Sequence, residues 1–210
     1  MRLESFIYDF DGTLSNSYPI FLKIAKEIIA EHAIGCDLSD REIYRILKNR
    51  NIEVYHALKW RDGFGPKDFT AAFAVLQGKY AAQFQLYPHA KEILEAAIAK
   101  GKRNFLYTHS GKVVYDIMDH MGISQYFTYV LDASQGFPSK PAPDALEHLK
   151  TLYLLDPNAC VMVGDRPLDV EAGANAGMQS FLFDPDGFFD QTPATYRSHS
   201  LDALFDLILN

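Results

Sequence analysis

Cysteine is nearly absent from this chain: Cys36 and Cys160 are the only two in 210 residues. They stand far apart with no metal-ligand spacing, which excludes a thiolate metal centre and leaves two reduced thiols of a reducing compartment. No apolar run reaches the roughly 20 residues that a membrane-spanning helix needs. The opening MRLESFIYDF carries Glu4 and too few apolar residues for a signal peptide. A long basic run is missing as well. With a formal net charge of −7, neither a nucleic-acid backbone nor an anionic membrane surface is expected as a partner. Internal repeats and low-complexity segments are absent too. The expectation is a cytoplasmic protein.

What is present is an ordinary globular composition, 48% hydrophobic and 22% charged, with length enough for a sizeable core. Short β-branched or aromatic runs ending at polar residues or glycine predict strands at 5–10, 103–108, 127–132, 160–164 and 179–184. Helical patterns separate the later ones, at 89–100, 112–121, 141–153 and 169–176. In the first of these, Ala90, Ile93, Leu94 and Ala97 form one apolar stripe and Gly101 is the stop signal. Alternation of this kind predicts a parallel sheet with helices on both faces. The interval after residue 15 breaks the rhythm. Segments 17–33, 40–48, 52–60 and 67–84 read as successive helices, broken at Gly35, near Asn49–Asn51 and at Gly63–Pro66. That block is too long for a loop. It predicts a helical domain, residues 16–85, inserted into a core made of 1–15 and 86–210.

Ligands of open α/β sheets bind beyond the carboxyl ends of the strands, so the polar residues there carry the chemistry. The first strand runs into Asp9-Phe10-Asp11-Gly12-Thr13 and the second into Thr108-His109-Ser110-Gly111. A later loop offers Ser139-Lys140-Pro141, and the fourth strand ends in Gly164-Asp165, with Asp169 four residues on. Residues two apart on a strand point to one side, so Asp9 and Asp11 are expected to crowd unless a cation relieves them. Magnesium, which takes carboxylate and phosphate oxygens, suits that need. Thr108 at a helix start and Lys140 would hold a phosphate. Asp9 is then the nucleophile and Asp11 the general acid and base.

DFDGTL, LYTHS, SKPAPD and VGDRPLDVEAGANAGM, in that order, resemble the four motifs of the haloacid dehalogenase superfamily, in its phosphoglycolate-phosphatase-like and β-phosphoglucomutase-like branch. The resemblance covers the whole chain, because that branch carries a helical cap between its first and second motifs. It implies an α/β Rossmann-like parallel sheet of order 5-4-1-2-3 with an inserted α-helical cap that closes over the site. It implies Asp9 as nucleophile and magnesium ligand, and Asp11 as acid/base lending its backbone carbonyl to the metal. Thr108 and Lys140 would bind the phosphoryl group, Asp165 would be a direct metal ligand, and Asp169 would hold the metal's second shell. The implied activity is hydrolysis of a small phosphorylated metabolite with Mg2+. Two departures stand out. His109 occupies a place that is usually asparagine, and reads either as a polar replacement or as a group touching substrate. The stretch LKNRNIEVYHAL lacks the serine-arginine-glutamate arrangement of β-phosphoglucomutase.

Other readings compete. A calcium loop with Gly12 at its sixth position needs an acid at Ile7 and glutamate at Tyr18, and neither is there. Cys160 and Arg166 match the spacing of cysteine phosphatases, but Val161–Val163 continue a strand and Cys160 reads as core. Asp169 doubles as a helix cap. Six other histidines are scattered without ligand spacing, and the Phe188–Phe189 pair reads as packing or as a contact surface. Lys48, Arg50, Lys59 and Arg61 are candidates for the substrate's remote end or for a solvated face, and Tyr18 and Trp60 for walls of the site. A sugar phosphomutase uses the same residues, and an idle module that binds phosphorylated metabolites is the reading outside catalysis.

Overall fold

A computed structural model describes residues 2–210 of the chain. The chain divides into two compact units, Met1–Ser15 with Leu86–Asn210, and Asn16–Gln85. After β1 (Ser5–Tyr8) the chain enters the second unit, which is helical.

That unit holds α1 (Tyr18–His32), α2 (Asp40–Asn49), α3 (Asn51–His56) and α4 (Pro66–Lys79). Helix α1 opens with proline in its first turn, where the missing N–H had no intrahelical partner to lose. Helix α2 opens with a capping box: the Glu42 N–H donates to Ser39 Oγ, and the Ser39 N–H to Glu42 Oε2 at 2.8 Å. Helix α3 ends at His56, short of residue 60, because the chain folds back there. The Trp60 indole N–H donates to the Tyr55 carbonyl at 2.7 Å and its ring stacks on Tyr55 at 5.3 Å. Phe64 and Phe69 complete that aromatic cluster. Helix α4 stops at Lys79, and Ala81–Gln83 make a 3₁₀ turn instead of a longer helix.

Back in the first unit come α5 (Ala90–Ala99), β2 (Arg103–Tyr107), α6 (Val113–Met121), β3 (Tyr129–Leu131), α7 (Asp144–Tyr153), β4 (Cys160–Gly164), α8 (Pro167–Asn175) and β5 (Gln179–Phe183). Two further elements follow, β6 (Tyr196–Ser198) and α9 (Ala203–Leu209). The sheet order is β3-β2-β1-β4-β5-β6, with every neighbouring pair parallel. The first five strands keep the anticipated order, and β6 extends the sheet beside β5.

Strand β1 lies between β2 and β4, and all four of its residues are buried. Central parallel strands read as continuous apolar runs for this reason. One core cluster packs Ile7, Phe105 and Met162 against Leu146 and Leu149 of α7 and Ala172 of α8. Helix α7 begins at Asp144 and not at residue 141, since Pro143 disfavours helical dihedrals at Ala142 before it. The central place of β1 puts Asp9, the next residue along, at the middle of the sheet's carboxyl edge.

Candidate active site

The Asp9 N–H still donates to the Val163 carbonyl at 2.8 Å, so its backbone is an extension of the sheet and its position is fixed by β4. The chain then turns at once. The Phe10 carbonyl accepts from the N–H groups of Leu14 and Ser15 at 3.1 and 2.9 Å. Gly12 sits at φ +89°, a conformation that glycine adopts without steric cost. The strand alternation on which the expected crowding of Asp9 and Asp11 rested therefore ends at Asp9. Asp11 is half-buried and accepts from Ser110 Oγ at 2.6 Å, on the turn after β2.

The acids that do gather around Asp9 are Asp165 and Asp169. All three are buried, and each offers a carboxylate oxygen within 4.8 Å of the others. Asp165 follows directly after β4, and Thr13 Oγ1 reaches its Oδ1 at 3.5 Å. Asp169 sits in the first turn of α8, where its Oδ2 accepts from the Arg166 N–H at 3.1 Å and so caps the helix. Gly164 makes room for it: a Cβ there would stand 2.2 Å from the Asp169 Cβ.

Three carboxylates in one buried place need positive charge. Lys140, fully buried, supplies some of it, with Nζ 2.5 Å from Asp9 Oδ1 and 2.8 Å from Asp169 Oδ1. Burial alone would pull this ammonium's pKa down, but the Asp169 and Asp9 carboxylates outweigh it and hold the pKa above that of an ordinary lysine. The ammonium also lies 4.6 Å from the centroid of the Tyr107 ring, a cation–π contact. Arg166 supplies more. Its guanidinium nitrogens stand 3.9 Å from Asp9, 3.7 Å from Asp165 and 3.8 Å from Asp169.

Thr108 is buried, its N–H donating to the Leu131 carbonyl at 2.9 Å and its Oγ1 accepting from the Ser110 N–H at 3.0 Å. It does not start a helix, as the sequence suggested. Helix α6 begins only at Val113, after a turn. His109 Nε2 accepts from the Lys140 N–H at 3.1 Å. As an acceptor that nitrogen carries no proton, so a neutral His109 ties the turn after β2 to the lysine's own backbone.

Sequence reasoning thus named Asp9, Lys140, Asp165 and Asp169, which the fold gathers, and Asp11, Thr108 and His109, which line the ends of β1 and β2. The sequence assigned no role at this site to Arg166, Ser110, Tyr107 or Thr13. Each is adjacent to a named residue or lies within a quoted motif, but adjacency does not tell where a side chain points. Cys160 is a buried strand residue whose thiol is pushed up to about 11 by burial, which leaves it protonated and inert at neutral pH. The Phe188 and Phe189 N–H groups both donate to the buried Asp184 carboxylate, at 3.0 and 2.7 Å. In the helical unit Lys48 is buried, 4.4 Å over the Tyr18 ring, whereas Arg50, Lys59 and Arg61 are exposed.

The residues fit magnesium. Asp9 Oδ2 is buried and has no hydrogen-bond partner, a costly arrangement unless something else takes that oxygen. A small octahedral cation that accepts carboxylate oxygens is such a group. Asp9 and Asp165 would hold it, with Asp169 bracing the surroundings.

Known proteins are similar to this chain in sequence and in architecture. The family model of haloacid dehalogenase-like hydrolases matches residues 6–183. A phosphoglycolate phosphatase of Vibrio vulnificus is 38% identical over 191 residues, covering 86% of this chain and 83% of its own. An N-acetylmuramic acid 6-phosphate phosphatase of Pseudomonas putida is 26% identical over 186 residues, covering 86% and 82%. The solved structure of CbbY from Rhodobacter sphaeroides in complex with phosphate superposes with a TM-score of 0.76, at 18% identity and over 94% of each chain. At that identity the likeness speaks for the fold. No helix among the described residues is long and apolar enough to cross a membrane.

Proposed function

The chain belongs to the haloacid dehalogenase-like hydrolase family, and from that premise we propose that it is a magnesium-dependent phosphatase that hydrolyses a small phosphate monoester through an aspartyl-phosphate on Asp9. The observation that carries this reading is the unpartnered, buried Oδ2 of Asp9, a carboxylate oxygen held next to two further acids and a lysine. Packing alone gives no reason to bury such an atom.

Asp9 attacks phosphorus and displaces the alkoxide, to which Asp11 delivers a proton. Asp11 then takes a proton from water as that water cleaves the acyl phosphate. Its hydrogen bond from Ser110 holds the carboxyl group in place for both transfers. Lys140, charged and fixed by two carboxylates, neutralises oxygens of the transferring group. Thr108 provides a hydroxyl at the end of β2. When bound, magnesium would add Lewis-acid stabilisation of the same oxygens.

For substrate, the two named relatives act on a phosphorylated two-carbon acid and a phosphorylated amino sugar acid, by their names. A small phosphorylated carboxylic acid is therefore the class we propose, with 2-phosphoglycolate first. The free thiols suit a cytoplasmic location. The test is phosphate release from 2-phosphoglycolate, sugar phosphates and p-nitrophenyl phosphate, with and without magnesium. Magnesium-dependent release that vanishes in Asp9→Asn supports the proposal. Retained release in Asp9→Asn, or isomerisation of a sugar phosphate without release, overturns it.

A further inference from the structure

Arg166 stands next to the acid assigned to the metal, and its position gives it a task of its own. Its guanidinium is within 4 Å of all three carboxylates of the cluster, at 3.7, 3.8 and 3.9 Å. Those distances exceed a hydrogen bond, so toward these acids it supplies charge and not directed bonds. Lys140 differs, since it is bonded at 2.5 and 2.8 Å to two of the acids. The Arg166 backbone is fixed, because its N–H donates to Asp169 Oδ2 as α8 begins. The side chain keeps 11% of its surface exposed where Lys140 keeps none. Three carboxylates against one lysine leave an excess of negative charge, and Arg166 offsets it. Arg166 Nη2 lies 3.9 Å from the unpartnered Asp9 Oδ2.

We propose that Arg166 is a tethered counter-cation of the carboxylate cluster, competing with a divalent ion for the same oxygens and so setting how much free ion the site requires. This rests on the reading of Asp9 and Asp165 as metal ligands. Without the ion, the guanidinium offsets the buried charge and keeps the empty site folded. With the ion, the two cations repel each other, and the affinity of the protein for magnesium is lower than the carboxylates alone would give.

The test is magnesium titration by calorimetry, with thermal unfolding in chelator and in saturating magnesium, on the wild type, Arg166→Gln, Arg166→Lys and Asp165→Asn. Arg166→Gln is expected to bind magnesium about tenfold more tightly, as expected when one nearby like charge is removed. It is also expected to melt lower in chelator and to regain wild-type stability in saturating magnesium. Arg166→Lys, which keeps the charge, restores the wild-type affinity. If Arg166→Gln fails to fold without the ion, magnesium must rescue it, and a variant still unfolded in saturating magnesium overturns the proposal. Unchanged or weaker magnesium binding in a folded Arg166→Gln overturns it while leaving the metal site intact. A wild type that binds no magnesium, or an Asp165→Asn that binds as well as wild type, overturns the metal reading and this proposal together.

Discussion

Lys140 illustrates how a single residue combines stability with chemistry. It is the directly bonded counter-charge to both Asp9 and Asp169. Removing one partner from a buried ion pair leaves the others uncompensated, so Lys140→Met should cost about 3–5 kcal/mol of unfolding free energy in chelator. Denaturant melts read this directly, and a loss under 1 kcal/mol would show that the acids find their charge elsewhere. The pH dependence follows from the raised pKa. Stabilisation by a group whose folded pKa is raised is complete below its unfolded value, and disappears only as pH rises through the folded one. The cost of Lys140→Met should therefore be constant between about pH 6 and pH 9. At His109 the acceptor nitrogen matters more than the ring. Asparagine has a carbonyl oxygen able to take the Lys140 N–H, so His109→Asn should keep most of the turnover and His109→Leu should lose about tenfold or more, the order of one displaced catalytic group. Equal activity of the two variants would mean that the hydrogen bond at 3.1 Å does not position Lys140. Asp9 and Asp165 were legible in the sequence because each directly follows an apolar run that reads as a buried strand. Arg166 was not, because the direction of a long side chain is set by charges from β1 and α8 that come together only in the fold.

The elements place these groups by the way strands end and helices begin. Gly164 closes β4 against the Asp169 side chain, where a Cβ would meet it at 2.2 Å. Gly164→Ala should displace Asp169, cost about 1–3 kcal/mol of stability as overpacking does, and lower turnover as well. A variant as stable and active as wild type would show that α8 shifts freely. The first five strands could be read from sequence since each is an apolar run between polar stops. Strand β6 could not: Tyr196–Ser198 is three residues long, at the sheet edge, with Arg197 exposed, and is held by pairing with β5 rather than by its own pattern. Helix α6 was read to within one residue, at 112–121 against Val113–Met121, but the expectation of Thr108 at its start failed for a related reason. The turn from Thr108 to Lys112 is shaped by the Ser110 N–H bond to Thr108 Oγ1 and by Ser110 Oγ on Asp11, neither of which propensity foresees.

For the molecule as a whole, a buried oxygen without a partner is a deficit that ligand binding removes. Magnesium at about 100 times its Kd should stabilise the protein by about 2.7 kcal/mol, and at about 2–4 °C per kcal/mol for a chain of this size the melting point should rise by several degrees. Chelator should reverse the rise, and Asp165→Asn should abolish it. A melting point indifferent to magnesium would contradict the fit of the carboxylates to the ion. The covalent step at Asp9 can be trapped. p-Nitrophenolate leaves without needing a proton, so in Asp11→Asn the first step on p-nitrophenyl phosphate should survive while the water-activated second step stalls. Acid quench of that reaction in magnesium, followed by mass spectrometry, should find a phosphoryl group on the peptide carrying Asp9, and none when Asp9→Asn is added. Phosphate on another residue, or steady turnover of the doubly substituted protein, would mean that Asp9 is not the nucleophile.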